Sequence, residues 1–218
     1  MRVLIFLMMM GFVPGNLVAD EDAVTYASPS ATMKLQKVDM SGGKPLMQAL
    51  EERKSSRSFS DKELSEQELS ELLWAAFGIT RPESGKRTAP SARNMQEIEV
   101  FVSMKEGLYL YDPKQHALEM VLEEDIRAVT GKQDFVADAP VNLIFVADYS
   151  KMDDVGKMRD FYAAIDTGYI SQNVYLYCAS QGLATVARGW FDPEKLGKAM
   201  GLGSDERVIL TQTVGYSK

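Results

Sequence analysis

Three features of the sequence predict an α+β domain in which a mostly antiparallel sheet is flanked by helices. Ile98 to Val102, Leu108 to Tyr111 and Leu118 to Leu122 are rich in β-forming residues and are separated by Lys105-Glu106-Gly107 and Asp112-Pro113-Lys114-Gln115. That pattern predicts antiparallel strands, two of them joined as a hairpin. Val141 to Ala147 is almost wholly apolar, as a central strand buried on both faces is. Arg159 to Gln181 carries the longest helical pattern and stops before Gly182.

The chain has 218 residues, 45% hydrophobic and 25% charged, enough for one substantial core and about one domain. This mix excludes disordered and fibrous classes. A formal charge of -7 repels nucleic acid and anionic membrane surfaces, so neither is an expected partner. The single cysteine, Cys178, allows no intrachain disulfide and no cysteine-rich metal site. Its apolar neighbours predict an inert, buried thiol. The single histidine, His116, lies in the expected hairpin turn, which leaves His-based triads and multi-histidine zinc sites without support. The chemistry must come from a cofactor or from carboxylates, and no isolated carboxylate pair stands out.

In chain order, Met1-Arg2, the apolar run Val3 to Val13, Pro14-Gly15 and the small-residue exit at Ala19 have the layout of a secretory signal peptide cleaved after Ala19. The run is too short for a permanent membrane anchor, and export, to a bacterial periplasm, is the expectation; a buried N-terminal strand or helix, and with it a cytoplasmic protein, is the alternative. Residues 20–44 lack sustained periodicity and are expected to form an N-terminal arm and linker. Residues 45–218 form the domain. Pro45 starts a helix that ends in the basic segment Arg53-Lys54-Ser55-Ser56-Arg57. Ser65-Glu66-Gln67-Glu68 is a capping box, Leu69 to Phe77 continue as an amphipathic helix, and Gly78 is expected to supply a left-handed stop. Thr80 to Arg87 is a polar loop leading to Pro90. Glu123 to Gly131 is expected to be a short helix. Asp192-Pro193 begins another helix, Gly201-Leu202-Gly203 caps it, and Glu206 to Val214 is a final strand. The Gly201 segment follows a helix and lacks a third glycine, so it is a C-cap and no nucleotide loop.

Two segments carry polar chemistry. Arg53 to Phe59 clusters three cations and three hydroxyls, equipment for holding a phosphate through charge-assisted hydrogen bonds. Against an acidic background, such a local cluster favours one phosphate-bearing ligand over a polyanion. In isolation it would equally serve as a solvated helix end. Ala89-Pro90-Ser91-Ala92-Arg93-Asn94-Met95-Gln96 offers a hydroxyl, a guanidinium and an amide in a turn begun by proline, suited to the polar edge of a heterocycle. A plain turn with a Ser or Asx cap uses the same residues.

In this order, with an amphipathic helix between them, the two segments resemble the FMN-dependent nitroreductase family. Gly168-Tyr169-Ile170-Ser171-Gln172-Asn173-Val174-Tyr175-Leu176 is similar to the family's central-helix pattern, and Gly182 to Asp192 is similar to the segment that passes its backbone beside the flavin. The resemblance covers roughly residues 45 to 216. It implies a mixed, mostly antiparallel sheet and an intertwined homodimer with FMN at each interface. It implies that Arg53, Lys54, Ser55 and Arg57 contact the FMN phosphate and ribityl chain, and that one of these cations reaches the pyrimidine carbonyl, where it would stabilise the anionic reduced flavin. Pro90, Ser91 and Asn94 would reach the flavin from the other subunit. Main-chain N–H groups at Arg188 and Gly189 would serve N5 and O4, so the Arg188 side chain need not matter, and Gln133 aligns near the pyrimidine. Many members continue past the last strand to supply a further phosphate contact; here Lys218 is the candidate.

The implied reaction is hydride transfer from NADH or NADPH to flavin N5 and on to a small electron-poor acceptor, a nitroaromatic or quinone, in a ping-pong scheme. No side chain need act as nucleophile. A substrate-specific flavin oxidase or dehydrogenase of the same fold, or a non-catalytic flavin-binding scaffold, is compatible with the same residues.

Overall fold

A computed structural model describes residues 31–218. The expected signal peptide, residues 1–19, and the first part of the arm lie outside the described residues. The elements are β1 (Thr32–Lys34), α1 (Leu46–Glu52), α2 (Glu66–Phe77), β2 (Ile79–Arg81), β3 (Lys86–Arg87), β4 (Ile98–Met104), β5 (Gly107–Asp112), β6 (Ala117–Leu122), β7 (Val141–Asp148), α3 (Arg159–Gln181), β8 (Ala184–Arg188), α4 (Pro193–Met200) and β9 (Glu206–Gly215). Seven strands form one sheet in the order β1-β6-β5-β4-β7-β9-β8. Every pairing in it is antiparallel. No described helix is long and apolar enough to cross a membrane.

The alternation of side chains across β7 explains the layering. Leu143, Phe145 and Ala147 point to one face and pack with Leu72, Leu73, Ile170 and Val174 of α2 and α3. Ile144 and Val146 point to the other and pack with Leu196 and Met200 of α4. Thus β7 is buried on both faces, as its unbroken apolar run predicts. Burying each such side chain contributes about 1.5–3 kcal/mol, and both faces of one strand are used.

The capping box on α2 forms as expected: Ser65 Oγ accepts from Glu68 N–H at 3.2 Å, and Glu68 Oε2 accepts from Ser65 N–H at 2.8 Å. Gly78 differs from its expectation. Its φ is -68°, so it supplies no left-handed stop. Glycine is required there by space, since a Cβ would lie 2.4 Å from Trp74 Cδ1 and 2.7 Å from Trp74 O. Left-handed caps do close α3 at Gly182 and α4 at Gly201.

Glu123 to Gly131 also departs from expectation, holding only a 3-10 turn at Arg127–Val129. The Asp125 carboxylate accepts from Arg127 N–H at 3.1 Å and from its guanidinium, while Thr130 Oγ1 donates to Arg127 O at 2.7 Å. These local bonds take groups a helix would need. The arm is tied down too. β1 pairs with β6, and His116 Nε2 meets Gln36 O at 3.1 Å and Ser70 Oγ at 2.8 Å while Nδ1 meets Tyr111 OH at 3.0 Å. This histidine joins arm, hairpin and α2, a structural use. Cys178 is fully buried, and burial pushes its thiol well above the ordinary range, as an inert thiol requires.

Candidate cofactor site

α1 ends at Arg53, whose N–H returns to Ala49 O at 3.0 Å. The chain then runs extended beside β8, with Ser56 N–H donating to Thr185 O at 2.9 Å and Ser60 N–H to Tyr216 O at 2.9 Å. Phe59 anchors this run. It is buried among Ala139, Ala184 and Val186, with its ring centroid 5.2 Å from that of Phe135. Lys54, Ser55 and Arg57 are all exposed along this run. Among the described residues, Lys54 and Arg57 form no salt bridge and no side-chain hydrogen bond, so their charges are available to a ligand.

Tyr175 of α3 completes this end. Its hydroxyl oxygen accepts from Ala187 N–H at 2.9 Å and meets Ser55 Oγ at 2.8 Å, while the Arg53 guanidinium lies 5.2 Å from its ring centroid. A cavity of about 520 Å³ is lined here by Arg53, Lys54, Ser56, Tyr175, Thr185 and Ser217. Lys218 lines a neighbouring cavity with Lys105 and Arg127, while Ser217 lines this one.

The other end of β8 brings together Arg188, Gly189 and Gln133. Lys132 N–H donates to Trp190 O at 3.0 Å, which joins the 130–133 loop to the segment after β8. Gln133 Oε1 is buried without a hydrogen-bond partner. A Cβ at Gly189 would meet nothing within 4 Å, so the backbone there is open to close approach, and Trp190 beside it is 63% exposed. Along β8 the four steps from Thr185 to Gly189 span about 13 Å.

The Pro90–Gln96 loop sits elsewhere. Asp166 of α3, 3% exposed, accepts from Ala92 N–H at 2.7 Å, and Ser91 Oγ accepts from Gln96 N–H at 3.0 Å. Asp166 and Tyr175 are nine residues apart on α3, about 13 Å of helix, so one chain does not bring Ser91 and Asn94 beside Ser55. Arg93, Asn94 and Gln96 have φ of 51°, 60° and 51°. Left-handed backbone at Arg93 and Gln96 costs of order 1 kcal/mol or more each, and such strain concentrates at ligand sites.

Under this loop lies a carboxyl pair with no counterpart among the expected site residues. Glu97 is fully buried, and neither of its oxygens has a protein donor. Burial first, then the neighbouring Asp166 carboxylate, pushes Glu97 up to about 7. A sequence signal existed: Asp166 falls on the buried stripe Ala163, Ile170, Val174 of α3, where a lone acid is out of place. Tyr175 is half-exposed at the site, and its resemblance to a core residue concealed its polar role.

Comparison with known proteins decides the family. The model of the Nitroreductase family matches residues 50–216. This chain belongs to the nitroreductase family. A "putative nitroreductase" of Methanocaldococcus jannaschii is 36% identical over 195 residues, covering 84% of this chain and 96% of that protein. The crystal structure of a "putative nitroreductase" from Ralstonia eutropha is 43% identical with a TM-score of 0.82, covering 87% of this chain and 93% of that one. A chain of the E. coli microcin synthetase McbBCD complex, 20% identical with a TM-score of 0.66, covers 100% of this chain and 79% of its own and shares the fold alone. Family membership makes the nitroreductase chain an oxidoreductase by class, with its sheet and flanking helices those of the nitroreductase fold.

Proposed function

We propose that this nitroreductase-family chain is an FMN-dependent oxidoreductase. In this reading it passes a hydride from NADH or NADPH to a small electron-poor acceptor, a nitroaromatic or quinone, by a ping-pong scheme. The observation that carries the reading is the layout of β8. Free cations and the Ser55 hydroxyl stand beside Thr185 and Ala187; the open backbone of Gly189, with the unpartnered side-chain Oε1 of Gln133 on the same wall, lies about 13 Å further on. A phosphate, a polyol chain and a hydrogen-bonding ring fit that sequence of groups.

Lys54 and Arg57 would neutralise the phosphate, with Arg53 held over Tyr175. Ser55 would donate to a phosphate or ribityl oxygen, and the backbone at Arg188 and Gly189 would hold the ring edge. When bound, FMN supplies hydride acceptance and release at N5. No side chain of this chain needs to act as nucleophile.

A second copy would complete the site. Phe161, Ile165 and Tyr169 repeat every four residues on α3 and are 55%, 36% and 48% exposed, and Leu46, Met47 and Leu50 of α1 are exposed as well. An apolar stripe of this extent on a helix otherwise packed in the core favours an interface with the same chain. The partner's loop would then deliver Pro90, Ser91 and Asn94.

The test is an anaerobic titration of FMN-reconstituted protein with NADH and then NADPH, following the oxidised-flavin band near ~450 nm. Bound FMN that is bleached by either nucleotide and recovers on adding a quinone is the expected result. Protein that retains no FMN would overturn the reading.

A further inference from the structure

Arg188 ends β8 and is 3% exposed. Its guanidinium donates to Thr130 O and to Asn142 Oδ1, both at 2.9 Å, and more loosely to Thr130 Oγ1 at 3.5 Å. Its Nε–H has no acceptor. Among the described residues no carboxylate pairs with it. Burial alone pushes its pKa down to about 10, which leaves it charged at neutral pH.

Such an ion is expensive. A buried charge without a counter-ion costs several kcal/mol, and arginine is almost never fully buried unpaired. A methionine or leucine would fill the end of β8 at lower cost. The surroundings point to where the missing negative charge arrives. Gly131 has no Cβ, and one placed there would lie 1.9 Å from Arg188 Nη1 and 2.7 Å from Gln133 Oε1. Glycine thus lets the guanidinium and the Gln133 side chain converge, and each keeps an unpartnered polar atom. The bond from Lys132 N–H to Trp190 O fixes both in one wall, made of the 130–133 loop and the segment after Arg188. That wall is the one assigned above to the ring of the cofactor.

We propose that Arg188 is a charge kept for the reduced cofactor: its guanidinium makes the site hold reduced, anionic FMN more tightly than oxidised, neutral-ring FMN. The inference rests on the FMN reading of the site. Uptake of two electrons and one proton leaves a negative charge on the ring system, whereas two electrons and two protons leave none. A fixed positive charge behind the ring favours the first outcome. Arg188 acts through the field and the wall it supports, so it is a positioning and tuning residue; its backbone role is separate.

The experiment titrates FMN, oxidised and dithionite-reduced, into wild type, Arg188→Met and Arg188→Lys, with the unfolding midpoint of each apoprotein as a control. Wild type is expected to bind reduced FMN more tightly than oxidised FMN. Arg188→Met is expected to lower that preference about tenfold, roughly 30 mV for a two-electron couple, while Arg188→Lys keeps most of it. A merely structural arginine would weaken both oxidation states together. An unchanged preference in Arg188→Met overturns the proposal. If that variant does not fold, Arg188→Gln, which removes the charge and keeps an amide donor toward Thr130 and Asn142, decides: a lowered preference supports the proposal, and an unchanged one overturns it. Failure of wild type to bind oxidised FMN is a different result, which overturns the cofactor reading beneath it.

Discussion

The Tyr175 hydroxyl sits 2.8 Å from Ser55 Oγ, joining the end of the long helix to the basic segment across 120 residues of sequence. Ala187 N–H donates to the same hydroxyl oxygen at 2.9 Å, and either hydroxyl of the Tyr175–Ser55 pair can supply the proton between them. When Tyr175 supplies that proton, the serine proton is left for an acceptor on a ligand.

Tyr175→Phe is therefore expected to weaken FMN binding about tenfold, the worth of one hydrogen bond to a charged group. Riboflavin, which has no phosphate, is expected to change by less than about twofold. Fluorescence titration with both ligands checks this. Equal loss for the two would refute the phosphate contact and leave Ser55 to the ribityl chain.

Glu97 predicts a pH effect of definite sign. Its folded pKa, raised from 4.5 to about 7, means that the native state keeps a proton the unfolded chain releases. That contribution is fully present below pH 4.5, is lost as pH rises toward 7, and is level beyond. Glu97→Gln keeps a neutral side chain throughout, so the difference in unfolding free energy between variant and wild type should shift in the variant's favour across that window. Urea unfolding at pH 5 and pH 8 measures it, and a difference that does not vary with pH would refute it.

Ile165→Glu puts a charge in the centre of the exposed stripe on α3. It is expected to convert a homodimer to a monomer and to remove FMN retention with it, since the partner's loop is lost. Light scattering coupled to gel filtration gives the mass. A wild-type monomer that binds FMN would contradict the interface.

Gly78→Ala is expected to destabilise by about 2 kcal/mol. The cause is contact with Trp74, because a φ of -68° is one that alanine adopts freely. Gly78→Ala combined with Trp74→Leu should recover part of the loss, and thermal unfolding of the single and double variants separates space from backbone strain. No recovery in the double variant would put the cost in the backbone.

Much of the fold is legible locally. The β5–β6 hairpin, the capping box at Ser65, the αL caps at Gly182 and Gly201 and the two-faced strand β7 all depend on residues a few positions apart, or on the period of one segment. β8 was less so: Ala184 to Arg188 is short and sits within a segment that also suits a loop, and only its pairing with β9 makes it a strand. The Glu123–Gly131 stretch carries helical residues whose side chains bind their own backbone instead.

By itself, the sequence determined the α+β class, the family and the clustering of cations and hydroxyls from Arg53 to Phe59, because short-range patterning and motif order carry that information. Tertiary structure alone decided that Tyr175 holds Ser55, that Asp166 faces Glu97 beneath the strained loop, and that the Arg188 side chain turns inward to Thr130 and Asn142. Those partners are separated by tens of residues or more, and the burial that gives them their chemistry exists only once helix and strand have packed.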